Sequence, residues 1–217
     1  MTEPYFTSVL IAIEVIFSLM VLNTLKKAGG NNILLLSLGG IFIVWIITAY
    51  LMLSAGFFSA TGVPQVAFTA GVVIPIVLGL LAYKFSKPLA VVINNIPTSS
   101  FLALQQMRVA FGVMFFFSLS LPIWFQYIGG LGDIAAGIGA FLALRYLQKH
   151  PEMETQAIVK GNLIGILDFI IVLNLGVGVV LQAQSPDIMF DLIPLYVVPI
   201  FILLHIFSLL KLRTLKR

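Results

Sequence analysis

Three ionisable residues stand deep inside otherwise apolar stretches of this chain: Glu14, Arg108 and Asp168. Each would cost ~2.5–3.5 kcal/mol at the centre of a bilayer, so groups of this kind turn inward and pair. Arg108 and Asp168 carry opposite charges and can neutralise each other. Glu14 has no cation within its own stretch, and a carboxyl in that position suits proton uptake and release. His205 adds an imidazole, and Asn162 and Gln105 add amides that can both donate to and accept from a solute. The expected substrate- or proton-binding set is therefore Glu14, Arg108, Asp168, His205, Asn162 and Gln105. Each also has a plainer role: a register-fixing ion pair for Arg108 with Asp168, a neutral carboxyl bonded to a serine or carbonyl for Glu14, and a hydrogen-bonded core histidine for His205. Asp133 reads as the N-terminal cap of the helix that follows it.

Spacing supports a shared site. At ~1.5 Å per helical residue, Arg108 lies ~10 Å, Asp168 ~12 Å and His205 ~9 Å from the basic ends of their stretches, whereas Glu14 lies ~18 Å in, near the mid-plane. Gly161 and Gly165 share the face of Asp168, and glycines four residues apart let helices approach closely. Gln105 and Gly112 share the face of Arg108, Thr7 and Ser18 that of Glu14, and Ser208 that of His205. The stretch around Asp133 carries Gly132, Ala136 and Ala140 on one side and Ala135, Gly139 and Ala143 on another, so it can pack closely on two faces.

Membrane helices must position these groups. Of 217 residues, 60% are hydrophobic and 9% charged, with a mean hydropathy of +1.12; soluble domains run near 25% charged. This composition excludes an ordinary soluble enzyme, a disordered chain and a nucleic-acid binder. It predicts an all-α integral membrane protein. No cysteine is present and the histidines are only His150 and His205, so no metal or cofactor is expected. A span needs about 20 apolar residues. Seven stretches qualify, at about 5–25, 33–57, 65–83, 101–121, 131–147, 160–181 and 190–210, forming a single seven-helix domain over 1–217. Pro88 and Pro97 interrupt the segment 84–100, which reads as a connection with a short interfacial helix; Ser99 or Ser100 then caps the fourth span. Trp124, Phe125 and Tyr127 read as an outer aromatic belt.

Charge sets the orientation. Of the twelve basic residues, only Arg108 lies outside the loops and tail assigned to one side, while Glu3, Asp133, Asp187 and Asp191 fall on the other. The positive-inside rule then places the N-terminus outside and the C-terminus inside, in the plasma (cell inner) membrane. The acidic start lacks the basic region of a signal peptide, so the first stretch is expected as a retained helix.

Val72-Val73-Ile74-Pro75-Ile76 in the third stretch parallels Val197-Val198-Pro199-Ile200 in the seventh. Gly30-Asn31-Asn32-Ile33 parallels Gly161-Asn162-Leu163-Ile164. These pairs hint at three helices, a linker helix and three more. That plan and orientation resemble the SWEET sugar transporters in architecture alone, because Pro64-Gln65 falls on the outer side and not at the cytoplasmic turn where that family carries its proline-glutamine element. Retinal is excluded, since 190–210 contains no lysine. The expected function is transport of a small solute or ion, proton-coupled through the intramembrane site. A receptor, sensor or accessory subunit is the alternative, and a membrane-embedded enzyme acting on lipid or quinone the third. The expected partners are the lipid bilayer and the solute or ion, and a homo-oligomer is compatible with the layout.

Overall fold

The computed structural model describes residues 3–60, 64–118, 121–182 and 191–212. Among them every element is helical: α1 (Glu3–Lys27), α2 (Asn32–Ser54), α3 (Phe57–Ala60), α4 (Pro64–Phe85), α5 (Lys87–Asn95), α6 (Thr98–Gln105), α7 (Arg108–Phe115), α8 (Ile123–Lys149), α9 (Glu154–Gln182) and α10 (Val198–Leu210). A short 3₁₀ turn, Pro151–Met153, precedes α9, and a π-helical turn, Ile193–Val197, precedes α10. Among the described residues six helices are long and apolar enough to cross a membrane: α1, α2, α4, α8, α9 and α10 with its π turn.

Local chemistry explains the boundaries. Gly29 ends α1 at φ +100°, a conformation that only glycine adopts without strain. Gly30 N then returns to Leu25 O at 2.9 Å, satisfying a carbonyl of the last turn. Asn31 starts α2 by accepting from Leu34 N at 2.8 Å. Ser86 caps α5, whose buried side is Leu89, Val92 and Ile93, so α5 is the short amphipathic helix expected between the prolines.

The region expected as one span over 101–121 is broken. α6 and α7 have eight residues each, ~12 Å apiece, and neither alone spans ~30 Å of hydrocarbon. Between them the bonds tighten to three-residue spacing: Gln106 N to Ala103 O, Met107 N to Leu104 O and Val109 N to Gln106 O. Neither Ser99 nor Ser100 caps this helix. Both lie within α6, whose cap position is Pro97 and lacks a side-chain bond.

α8 starts at Ile123, eight residues before the expected boundary, because the aromatic run is itself helical. Trp124 and Tyr127 lie exposed on its first turns, whereas Phe125 is buried and meets the Phe115 ring at 6.0 Å. Asp133 therefore lies three turns inside α8 and caps nothing. Of the two small-residue faces of α8, that of Gly132, Ala136 and Ala140 packs closely, whereas on the other Ala135 is exposed; Gly137, on neither, is also tightly packed. A side chain added at Gly137 would meet the Val109 backbone of α7, and one at Gly132 would overlap the Asp168 carboxylate of α9.

The proline in α10 has a local consequence. Pro199 has no N–H for the carbonyl one turn back, that of Leu195. The indole of Trp45 on α2 takes that acceptor, with Nε1 donating to Leu195 O at 2.8 Å. Ala49 is the one fully buried residue of α2, and partly buried side chains such as Leu38, Phe42 and Ile46 pack its inner face on the core. The parallel between residues 30–33 and 161–164 does not extend to structure, because Asn31 caps α2 while Asn162 is buried within α9.

Candidate functional site

Arg108 is the first residue of α7, immediately after the 3₁₀ break, and is fully buried. Its planar fork of five donors reaches two neighbouring helices at three points. Nε donates to Asp133 Oδ1 of α8 at 2.7 Å. Nη1 donates to Gly165 O of α9 at 3.1 Å, and Nη2 donates to Asp168 Oδ2 of α9. The guanidinium lies 3.9 Å from the centre of the Phe169 ring, a cation–π contact in a desolvated setting. Gly165 makes this approach feasible, since a Cβ there would collide with both His205 and Arg108.

A second tier of bonds leads away from the arginine. Its Nη1 faces His205 Nε2 of α10 at 3.5 Å. Guanidinium cannot accept a proton, so Nε2 presents its lone pair and the imidazole carries its hydrogen on Nδ1. Nδ1 lies 2.7 Å from Asn162 Oδ1 and donates to it. Asn162 Nδ2 donates in turn to Ile158 O at 2.6 Å and to Ser208 Oγ at 3.1 Å. Gln105 Nε2 also approaches Asn162 Oδ1, at 3.5 Å. Five of the six residues singled out from sequence thus share one network, and helices α6, α7, α9 and α10 meet around it.

The network contains a carboxylate that its local sequence assigned elsewhere. Asp133 was expected as a cap and is instead a partner of Arg108. The run Ile123-Trp124-Phe125-Gln126-Tyr127-Ile128 is apolar enough to be helix, and extending the fifth span over it would have carried Asp133 inside. Phe169 was also missed, because a phenylalanine one position past Asp168 is indistinguishable by type from ordinary apolar lining.

Glu14 stands apart. It is 1% exposed, and neither carboxyl oxygen has a hydrogen-bond partner among the described residues. Ser18, the serine on its face, donates to the Glu14 backbone carbonyl at 2.8 Å and pairs with Tyr196 OH at 2.7 Å. Phe17, one turn further on, stacks on Phe201 at 4.4 Å, and Phe201 in turn flanks the Arg108 guanidinium at 5.8 Å. Gln105 Oε1 and Gln106 Nε2 are likewise buried without partners among the described residues.

Residues 63–213 match the family described as "Domain of unknown function (DUF8737)". The chain belongs to this family. No curated protein and no solved structure matches it. The DUF8737 stretch contains Gln105, Arg108, Asp133, Asn162, Asp168 and His205, so the whole charged network lies within it. Glu14 and the helices α1 and α2 lie before it.

Two cavities adjoin this region. A groove of about 400 Å³ between α9 and α10 is walled by Phe169, Ile170, Ile202 and His205, whose imidazole is itself buried. A larger cavity of about 470 Å³ lies between α1, α2, α4, α5, α6 and α10 and is lined almost wholly by apolar side chains.

Proposed function

We propose that the protein is a multi-pass plasma-membrane transporter of a small solute or ion, coupled to protons, with the Arg108 network as its coupling element. In this reading α6 and α7 together form a further span, giving seven, with the N-terminus outside and the basic ends of the helices inside.

The observation that carries the proposal is a charge count. One guanidinium meets two carboxylates, Asp133 and Asp168, and the imidazole facing it is held with its lone pair toward the cation. With both carboxylates ionised, the set has one negative charge in excess. An uncompensated charge inside a bundle is costly, and one proton or one small cation removes it. Adding or removing that proton changes which carboxylate holds Arg108, and so biases α8 against α9. The 3₁₀ break immediately before Arg108 is where the α6–α7 rod can bend in response. Glu14 supplies a second protonatable group on α1, and the unpartnered amide atoms of Gln105 and Gln106 supply hydrogen bonds for a solute.

The test is proton flux into proteoliposomes containing a pH-sensitive dye, under an imposed membrane potential. Wild-type protein should acidify the lumen. Asp168→Asn and Glu14→Gln should insert normally and abolish the flux. Undiminished flux in both variants would remove proton coupling.

A further inference from the structure

We infer that the 470 Å³ cavity is a binding site for one anionic phospholipid, with an acyl chain inside and the phosphate on a rim of lysines. This inference is independent of the transport reading. The volume falls within the ~300–1,000 Å³ typical of small-molecule sites. Polar side chains in the lining are already engaged within the protein. Thr24 Oγ1 donates to Met20 O at 2.9 Å, the Tyr196 hydroxyl pairs with Ser18 at 2.7 Å, and Trp45 Nε1 donates to Leu195 O at 2.8 Å. The enclosed part of the ligand is therefore hydrocarbon. α2 forms one wall through Leu38, Ile41, Phe42 and Trp45, and its opposite face is exposed, so the cavity is bounded laterally by a single helix.

Charge identifies the headgroup. At one end the lining residues Leu25, Ala82 and Leu89 lie within two positions of Lys26 and Lys27, Lys84, and Lys87, and all four lysines are exposed. No carboxylate lies in α2, α4 or α5, nor in the C-terminal turns of α1, and on the Ile96 side Glu154, bonded to Thr98, is offset by Lys211, which donates to Ile96 O, so the rim carries an excess of cations. Each lysine near a membrane surface favours an anionic lipid about fivefold. The hydrocarbon length of the cavity leads away from that rim toward Tyr196 and Trp45, matching the layout of a phospholipid.

Trp45 is a built-in reporter. The chain has two tryptophans, and Trp124 is 49% exposed on α8, where Trp124→Phe removes it with little disturbance. The Trp124→Phe protein, reconstituted in phosphatidylcholine, is titrated with phosphatidylglycerol brominated on the acyl chain, and separately with brominated phosphatidylcholine. The inference requires half-quenching of Trp45 at a mole fraction roughly fivefold or more lower for the anionic lipid. Ala82→Phe, which adds bulk at an exposed lining position, should abolish that tight component while keeping every lysine. Replacing the four lysines by glutamine should equalise the two lipids while keeping the cavity. Quenching that follows mole fraction alone, equal for both lipids, overturns the site. So does a preference that persists undiminished in Ala82→Phe, since it would report lysines attracting lipid to the outer surface.

Discussion

Arg108 is the residue whose replacement separates charge from packing. Arg108→Met keeps much of the side-chain volume but leaves Asp133 and Asp168 facing each other without a cation. Removing one partner of a buried ionic set typically costs ~3–5 kcal/mol, most of it the penalty of the charges left behind. For a chain of this size that is a fall in thermal midpoint of roughly 6–20 °C. The triple variant Arg108→Met, Asp133→Asn, Asp168→Asn loses the same arginine but retains no carboxylate. If charge outweighs packing here, the triple variant should recover most of the stability. The single variants Asp133→Asn and Asp168→Asn should each lose far less than Arg108→Met, because each leaves one cation with one carboxylate. The assay is thermal unfolding of all five proteins in one detergent at one pH. If Arg108→Met and the triple variant unfold at the same temperature, the charge count is wrong. The arginine would then matter through its bond to Gly165 and its stacking on Phe169.

Gly132→Ala should destabilise by ~1–3 kcal/mol, because its Cβ would overlap the Asp168 carboxylate, whereas Gly139→Ala meets only the mobile end of Ile164 at 3.1 Å and should cost little; thermal melts of the pair compare them directly. Gly29→Ala should cost ~1–2 kcal/mol from backbone strain alone, since its Cβ meets nothing within 4 Å, and a similar loss in Gly40→Ala would refute that cause. Trp45→Phe should cost ~1–3 kcal/mol in the same melts by stripping Leu195 O of its donor. Lys211 donates to Ile96 O, and burial holds its ammonium below the usual lysine range, opposed by Glu154. Between that depressed value and ~10.4 the unfolded chain binds more protons, so stability gains a rising contribution with pH there; Lys211→Met should flatten it in melts across that window.

The long helices were legible because an apolar run of span length has few other solutions. The common depth of Arg108, Asp168 and His205 was legible for a related reason, whereas the contact between their helices was not. Ionised or polar groups at one depth are driven to share partners, and glycines at 161 and 165 mark the face that admits them. The break between α6 and α7 was not legible. It contains no proline or glycine, only Gln105-Gln106-Met107, and its cause is tertiary: α7 packs backbone to backbone on α8, where a Cβ at Gly112 would lie 2.6 Å from Gly130 O. Asp133 was misjudged for the opposite reason. A cap signal is local, and the helix boundary on which it depended was displaced by eight residues of aromatic helix.

The placement of the break has a consequence for the charges. In an uninterrupted helix, Gln105 and Arg108 lie one turn apart on one face. The tightened turn between them leaves Gln105 directed at Asn162 while Arg108 reaches Asp133 and Asp168, so α6 and α7 address different ends of the same network. Asn162 and His205 join those two ends through a continuous run of hydrogen bonds. In the proposed coupling, protonation of either carboxylate would reach both halves of the broken helix, through Arg108 on one side and through His205, Asn162 and Gln105 on the other. A structural clamp is compatible with the same second tier, since buried polar groups are hydrogen-bonded in either case, so proton flux in Asp168→Asn and Glu14→Gln, and not the geometry, separates the two readings.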